Sequence, residues 1–340
     1  MTVDAITDVA GVQVGHATRS GDGWLTGTTV VLAPEGGAVV AVDVRGGGPG
    51  TKETDALDPR NVVQRVDAVV LTGGSAYGLD AASGVMAWLE EQRRGVRVGP
   101  DPAHVVPVVP AACVFDLGRG DFRARPDAAT GRAAVEAAAA SAPGARVPQG
   151  CVGAGTGAVA GRIKGGVGTA STVLDSGVTV AALVVVNAAG SVIEPETGAL
   201  YGELCQGRVE YPEERVHEAA RRRLDETAAE HTPPPLNTTL AVVATDADLS
   251  KTQAQKLAGT AHDGIARAVR PVHLMNDGDT VFALATGARA LAGHPLELNG
   301  ILAAGADAVT RAIVRGVRAA ESVDGPGGVW PSYGELYGAR

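Results

Sequence analysis

Residues 233 to 249 read Pro-Pro-Pro-Leu-Asn-Thr-Thr-Leu-Ala-Val-Val-Ala-Thr-Asp-Ala-Asp-Leu. Because proline fixes φ and lacks an N–H, the prolines predict an extended linker that ends at Leu236. The apolar run that Asn237, Thr238 and Thr239 open predicts a buried strand. Cleavage at this point would expose an N-terminal threonine. Such a residue carries both a nucleophile and a base, since its α-amino group titrates near neutral pH.

The same residues also have ordinary interpretations. Thr238 and Thr239 are β-branched, and such residues are common where a strand begins. Residues 237 to 239 match the Asn-x-Thr acceptor pattern for glycosylation, which requires a secretory route. The segment from Met1 to Asp8 has no basic region followed by an apolar core, so we expect no signal peptide.

Composition narrows the classes of partner. The chain has 340 residues, a net charge of −9 and no long basic run, so nucleic acid and anionic membrane surfaces are not expected partners. The longest apolar run, Val178 to Val186, is too short to span a bilayer. With 47 glycines and only 3% aromatic residues, the chain predicts closely packed layers of small aliphatic side chains.

Cysteines and histidines provide no sign of a metal site. Cys113, Cys151 and Cys205 are an odd number at scattered spacings, which indicates reduced thiols in a cytoplasmic protein. His262 and His273 have no partners at metal-binding spacing, so we interpret them as structural or surface residues. We therefore predict neither a metal nor a cofactor.

Two glycine-rich segments resemble nucleotide or hydrolase motifs without matching them. Residues 66 to 91 read as strand, glycine turn and helix, but Tyr77 stands where a nucleophile elbow needs glycine, and the lysine of a phosphate loop is absent. Residues 153 to 169 have a loose dinucleotide-like spacing, but no βαβ unit surrounds them.

Apolar periodicity predicts a mixed α/β chain. Residues 5 to 45 predict an antiparallel meander of three short strands, at 10–14, 28–32 and 38–44. Ser250 and Gln253 form a capping box that starts a helix ending near Val269. The other predicted elements are strands at 66–71, 105–114, 178–186 and 280–286, and helices at 79–91, 131–140 and 296–321. Residues 212 to 229 predict an exposed helix or a mobile linker.

Several polar residues allow both a structural and a functional interpretation. Residues 45 to 51, Arg-Gly-Gly-Gly-Pro-Gly-Thr, are either a wide turn or backbone that lies close to a ligand. Asn187 ends a strand, where an asparagine forms a turn or donates a hydrogen bond into a cleft. Asp277 and Asp279 belong to a solvated turn, or they orient a nearby nucleophile. Arg162 and Lys164 sit at a hairpin tip or act in a site.

Taken together, the motifs resemble one peptidase family. It includes the L-aminopeptidase/D-alanyl-esterase, the β-peptidyl aminopeptidases and, more distantly, the nylon-oligomer hydrolase. The resemblance covers nearly the whole chain, in segments 6–16, 43–51, 71–78, 155–157, 164–169, the Thr238 strand and 276–279.

This resemblance implies a fold and a maturation step. The family fold is an α/β/β/α four-layer sandwich, shared with ornithine acetyltransferases and of the N-terminal-nucleophile hydrolase type. Residues 1–340 would form one catalytic domain that cuts itself between Asn237 and Thr238. The products would be an α chain of residues 1–237 and a β chain of residues 238–340, and the stretch 212–236 would become a free tail.

Carried over residue by residue, the family's site implies roles for the candidates. Thr238 would be the nucleophile, and Asn187 would donate to the developing oxyanion. Asp277 and Asp279 match a pair of aspartates in the nylon-oligomer hydrolase, whereas the aminopeptidases have a serine and an acid there. A catalytic lysine of that hydrolase falls on Arg162 or Lys164, and a tyrosine of some relatives falls on Phe115, which has no hydroxyl to donate.

The resemblance therefore implies an amide hydrolase for short peptides or unusual amides with a free amino end. An acyltransferase of the ornithine acetyltransferase type is the alternative enzyme. A binding protein that keeps the fold without cutting itself is the alternative from another class. Relatives associate as tetramers of the cut protomer, so a homo-oligomer is expected, with a small peptide or amide as its other partner.

Overall fold

The computed structural model describes residues 2–207, 209–229, 236–294 and 296–338. The strands are β1 (Gln13–Gly21), β2 (Trp24–Leu32), β3 (Val39–Val44), β4 (Thr51–Lys52), β5 (Ala68–Thr72), β6 (Val96–Arg97), β7 (Val105–Val106), β8 (Ala111–Cys113), β9 (Val159–Ala160), β10 (Ile163–Lys164), β11 (Val167–Val173), β12 (Thr179–Val185), β13 (Leu240–Ala247), β14 (Thr280–Arg289), β15 (Val323–Gly325) and β16 (Gly328–Trp330). The α-helices are α1 (Ser75–Gly78), α2 (Ala81–Glu91), α3 (Ala128–Ala140), α4 (Tyr201–Gln206), α5 (Glu214–Ala229), α6 (Lys251–Ala268), α7 (Glu297–Arg318) and α8 (Tyr333–Tyr337).

Two five-stranded sheets form the framework. The first sheet has the strand order β1-β2-β5-β8-β4, and the second has the order β11-β12-β13-β14-β3. Most neighbours are antiparallel. In the first sheet β5 and β8 run parallel, and in the second sheet β13 and β14 run parallel and are joined through α6. A parallel pair requires such a crossover because its strands start at the same edge of the sheet.

Hydrophobic cores separate four layers. Leu183, Val242 and Phe282 of the second sheet pack against Val31 and Leu71 of the first sheet, which makes the middle core. Helices α2 and α3 cover the outer face of the first sheet, and α6 and α7 cover the outer face of the second. The predicted α/β/β/α sandwich is therefore the fold of the described residues.

Strand β13 shows how the opening stretch fits into these layers. Leu240 and Val242 point into the core between the sheets, whereas Ala241 and Val243 point towards the helices. Side chains alternate in this way because successive residues of a strand face opposite sides of the sheet. Both faces of β13 are buried, which explains its continuous apolar run.

Some of the local predictions agree with the structure and others are wrong. Ser250 caps α6 as predicted, and its Oγ accepts the Gln253 N–H at 3.3 Å. The meander of residues 5 to 45 is wrong in its third strand, because β3 pairs with β14 in the second sheet while β1 and β2 form a hairpin in the first. Residues 212 to 229 contain the helix α5, and residues 233 to 235 of the predicted linker lie outside the described residues.

The ends of several strands meet at one edge of the second sheet. Strands β13 and β14 begin there, with Leu240 opposite Thr280, and β12 ends there at Val185. The last residue of β3, Val44, and the first residue of β11, Val167, lie at the same edge. Segments far apart in the sequence therefore bring their polar flanking residues together at this edge.

A search of the described residues finds no helix that combines the length and apolarity needed to cross a bilayer.

The α6 cap supplies a test of the fold. We expect Ser250→Ala to lower the free energy of unfolding by about 1 kcal/mol, because the cap hydroxyl satisfies an otherwise unpaired N–H of the first turn. Urea denaturation followed by circular dichroism measures the change. Thr252→Ala, at an exposed hydroxyl in the same turn, should leave stability nearly unchanged. Equal losses in both variants would contradict the assigned cap.

Candidate active site

Thr238 lies just before β13 at the shared edge of the second sheet, and it is only 3% exposed. Its backbone N–H donates to the Asn187 carbonyl at 2.7 Å. Its hydroxyl donates to the Asn237 carbonyl oxygen, with 2.5 Å between the two oxygens. The hydroxyl is thus held against the peptide unit that the sequence predicts to be cut.

The Asn237 carbonyl has a second donor. Its oxygen accepts the Gly278 N–H at 3.0 Å. A Cβ at residue 278 would lie 2.6 Å from the Thr238 hydroxyl oxygen and 2.8 Å from the Gly48 carbonyl oxygen, so only glycine fits. The glycine-rich loop at 45–51 packs its backbone against this turn, where the Gly48 N–H donates to the Asp277 carbonyl at 2.8 Å. The loop at 45–51 thus packs its backbone tightly against the turn that holds Gly278.

Asp277 and Asp279 flank Gly278, and both are fully buried. The solvated-turn interpretation is therefore wrong. One Asp279 oxygen accepts the Thr239 N–H at 2.8 Å, and the other accepts from His273 Nδ1 at 2.7 Å. Burial alone raises the pKa of Asp279, but the His273 hydrogen bond and the Thr239 N–H outweigh it and lower that pKa. Asp279 is thus a buried carboxylate fixed in one orientation.

The pKa of Asp277 is shifted in the opposite direction to that of Asp279. Burial, together with the negative charge of Asp279, raises the pKa of Asp277 to about 7. Two adjacent carboxyl groups resist double ionisation, so one proton is retained on the pair at neutral pH. A carboxyl group that titrates near neutrality suits proton transfer.

Asn187 is completely buried at the end of β12. Besides holding the Thr238 N–H through its backbone, it uses its side chain in three contacts. Its Oδ1 accepts from Arg119 and from the Val159 N–H, and its Nδ2 donates to the Phe115 carbonyl at 3.3 Å. Residue 115 therefore contributes a backbone acceptor at the place where some relatives have a tyrosine.

Arg119 is a site residue that the sequence analysis missed. It is 2% exposed, and its Nη1 donates to the Asn187 Oδ1 and to the Gly157 carbonyl. Its Nη2 donates to the Asn237 Oδ1 at 2.9 Å. The only local sign was a lone arginine between two glycines at residues 118 to 120, which does not distinguish a buried cation from a surface turn.

The two cations left open by the sequence occupy different surroundings. Arg162 is at the tip of the β9-β10 hairpin, about half exposed (48%), and pairs with Asp225 at 2.8 Å. Lys164 is fully buried, and burial lowers its pKa to about 8. Its ammonium group donates to three backbone carbonyls, those of Gly155, Ala158 and Gly165. Within the described contacts, Lys164 supports the loop behind Asn187, and Arg162 has no contact with Thr238.

The two histidines have the structural role that was one of their two predicted interpretations. His273 anchors Asp279 as described, and its ring lies edge-on to that of His262 at a centroid distance of 4.8 Å. His262 is fully buried, its Nε2 lies 3.0 Å from the Asp43 carbonyl, and burial lowers its pKa to about 4. His262 is thus buried and His273 is partly exposed, and both rings support the aspartate pair.

A cleft of about 550 Å³ opens beside the site. Ala189 lines this cleft, and its N–H donates to Asp277 at 3.4 Å. Helix α5, which precedes the predicted cleavage point, forms one wall, and Arg162, Arg270 and Tyr337 line other parts. In the part of the chain that is described, no cluster of three His, Cys, Asp or Glu residues is arranged to hold a metal ion.

The model of peptidase family S58 matches residues 4–330. The chain is 48% identical to an uncharacterized aminopeptidase of Mycobacterium tuberculosis over 98% of both chains. It is 33% identical to a 6-aminohexanoate-oligomer endohydrolase of Kocuria sp., over 89% of this chain and 80% of the relative. The solved L-aminopeptidase D-Ala-esterase/amidase of Ochrobactrum anthropi, described as a variant of the Ntn hydrolase fold, superposes with a TM-score of 0.73 at 22% identity, covering 99% of this chain and 94% of that chain.

These similarities confirm the predicted α/β sandwich and the prediction of a peptidase or amidohydrolase. The matched region includes all the candidate site residues between Arg119 and Asp279. Because the family model covers most of the chain and the mycobacterial relative is nearly half identical, the chain belongs to peptidase family S58.

Proposed function

We propose that this aminopeptidase-type amide hydrolase cuts its own chain between Asn237 and Thr238 and then uses Thr238 as an N-terminal nucleophile. The contact that carries the proposal is the Thr238 hydroxyl at 2.5 Å from the Asn237 carbonyl oxygen. The Gly278 N–H on the same oxygen supports it, since a fixed donor stabilises the negative charge that develops during attack.

In the proposed maturation, the Thr238 hydroxyl oxygen attacks the Asn237 carbonyl carbon. Asp277, on the turn that packs against Thr238, takes the hydroxyl proton and passes it to the departing amide nitrogen. The peptide bond breaks, and an ester joins Asn237 to the threonine oxygen. Water then opens the ester, releasing the Asn237 carboxylate and leaving a free Thr238 α-amino group.

In the proposed hydrolysis of a substrate, the new α-amino group accepts the Thr238 hydroxyl proton. The Asn187 carbonyl, which holds that nitrogen at 2.7 Å in the uncut chain, orients it. The threonine oxygen forms an ester with the substrate acyl group, the amine leaves with the proton, and water releases the acid. Arg119 and Lys164 hold Asn187 and the loop behind it, and the Asn187 amide remains our candidate donor to the oxyanion.

The proposed substrates are short peptides or unusual amides with a free amino end. The relatives above are named as an aminopeptidase, an oligomer endohydrolase and an aminopeptidase with esterase and amidase activity, and not as acyltransferases. These names support hydrolysis over acyl transfer to an amine. They also favour an enzyme over a binding protein that merely keeps the fold.

We further propose a cytoplasmic homo-oligomer, a tetramer of cut protomers, in which residues 1–340 act as one catalytic domain. The odd number of cysteines at scattered spacings supports the cytoplasmic setting, and the resemblance to relatives that associate as tetramers supports the assembly. Size-exclusion chromatography with light scattering would reject the assembly if the cut protein ran as a single protomer.

The first prediction concerns maturation. Purified protein should separate into fragments 1–237 and 238–340, and the smaller fragment should begin Thr-Thr-Leu-Ala-Val, as measured by intact mass and N-terminal sequencing. Thr238→Ala should remain one chain because it lacks the nucleophile. Thr239→Ala keeps the backbone and removes only a hydroxyl that has no hydrogen-bond partner among the described residues, so it should still be cut. A wild-type chain that stays whole on long incubation would refute the maturation step.

The second prediction concerns pH. Since the pKa of Asp277 is raised to about 7, its ionised form accumulates as pH rises through neutrality. If this carboxylate is the base, the self-cleavage rate should increase about tenfold per pH unit below pH 7 and level off above it. Cleavage of freshly refolded protein can be followed by gel densitometry between pH 5 and 9.

Asp277→Asn should cut roughly 10² to 10⁴ times more slowly and lose this profile. Asp263→Asn, at an exposed carboxylate on α6, is the matched control and should keep both rate and profile. An unchanged profile in Asp277→Asn would show that another group titrates.

A further inference from the structure

Arg119 is a buried cation that forms no ion pair with a carboxylate among the described residues. It is 2% exposed, and its guanidinium carbon lies 6.0 Å from the centre of the Trp330 ring, at the limit of a cation–π contact. Asp116 is nearby, but its two oxygens accept from the Gly74 N–H and the Thr26 hydroxyl at 2.6 Å each. Because a buried charge is costly unless it is paired, Arg119 indicates a place prepared for an acidic or strongly polar group.

The guanidinium group also has donors to spare. Its Nη1 contacts Gly157 and Asn187, and its Nη2 contacts Asn237. Its Nε is buried and has no hydrogen-bond partner among the described residues. Nε and Nη2 lie on the same edge of a guanidinium, and this edge is the fork that a carboxylate binds with both oxygens. The Asn237 amide oxygen thus accepts from Nη2, and the neighbouring Nε donor stays unpartnered beside it among the described residues.

Asn237 also marks where the acyl part of a substrate belongs. In the uncut chain it supplies the carbonyl against which the Thr238 hydroxyl lies. Any later substrate must present its own carbonyl to the same hydroxyl. The side chain attached next to that carbonyl then takes the place that the Asn237 side chain leaves, beside Arg119. Asn237 is only partly buried, so this place opens to solvent when the α chain's new end moves away.

We propose that Arg119 forms an acyl-side subsite that selects substrates whose acyl residue carries a short acidic or amide side chain, namely aspartyl and asparaginyl amides. This inference rests on the proposed function, because it requires a cut chain with Thr238 as nucleophile. Burial lowers the pKa of Arg119 to about 10, which leaves it protonated at neutral pH. An aspartyl carboxylate can engage both Nε and Nη2, so we expect it to be preferred over the asparaginyl amide.

The test compares three p-nitroanilides of similar shape, L-aspartyl, L-asparaginyl and L-leucyl, on purified cut protein. Leucine matches the branching of the other two without their oxygen acceptors. We expect kcat/KM for the aspartyl and asparaginyl substrates to exceed that for the leucyl substrate at least about tenfold, as for a charged hydrogen bond. The released p-nitroaniline is measured by absorbance.

The Arg119 variants distinguish a loss of substrate selectivity from a general loss of activity. Arg119→Met should bring the aspartyl-to-leucyl ratio close to one, and Arg119→Lys, which keeps the charge without the fork, should give an intermediate ratio. Arg123→Met, at an exposed arginine of the same region, is the matched control and should keep the wild-type ratio. A displaced Asn187 would slow the hydrolysis of all three substrates, so it would not change the ratio of their kcat/KM values.

The wild-type comparison decides the matter even where Arg119→Met fails to fold. A second measurement uses the partly exposed Asn237: Asn237→Leu should cut itself at least about tenfold more slowly than Asn237→Asp, since only the latter retains an acceptor for Arg119. A cut wild-type enzyme that hydrolyses the leucyl amide as well as the aspartyl amide overturns the subsite and leaves the proposed function standing. A chain that is never cut and hydrolyses none of the three overturns the proposed function itself.

Discussion

The hydrogen bond from the Thr238 N–H to the Asn187 carbonyl ties the beginning of β13 to the end of β12. On the other side of Thr238, the Gly278 N–H binds the Asn237 carbonyl, which ties the same point to the turn before β14. The backbone on both sides of Thr238 is thus held by neighbouring strands, which restricts the orientation of its hydroxyl. The position of the hydroxyl relative to the Asn237 carbonyl depends on this register, which the sheet itself maintains.

Around this point the protein buries several ionisable groups, among them Lys164, Arg119, Asp277 and Asp279. Each is costly to remove from water, and the structure offsets the cost in different ways. Lys164 is surrounded by backbone carbonyls, whereas Asp279 is held by His273 and a backbone N–H. Asp277 has no such cation and keeps a proton near neutral pH. The same low polarity that moves the pKa values of Asp277 and Asp279 apart makes Asp277 suitable for proton transfer.

Much of the fold followed from local pattern. The buried apolar strand β13, the Ser250 cap of α6 and the hairpin interpretation of Arg162 followed from neighbouring residues, because each depends on interactions within a few positions. The pairing of β3 with β14 was not predicted, because the neighbours of a strand depend on packing between distant segments as well as on its own residues. The chemistry of Thr238, Asn187 and the two aspartates was proposed from residue type, position and family resemblance, without their contacts.

The amino-acid sequence by itself determined most of the longer elements, the hydroxyl at the head of β13 and the family resemblance, because periodicity, caps and motifs are properties of short segments. The tertiary structure alone decided which groups surround Thr238. Arg119 meets Asn237 across 118 positions of the chain, and Asp279 accepts the Thr239 N–H across 40 positions. Long-range contacts of this kind arise from closing the sheets into layers, and burial then sets the protonation of the groups enclosed.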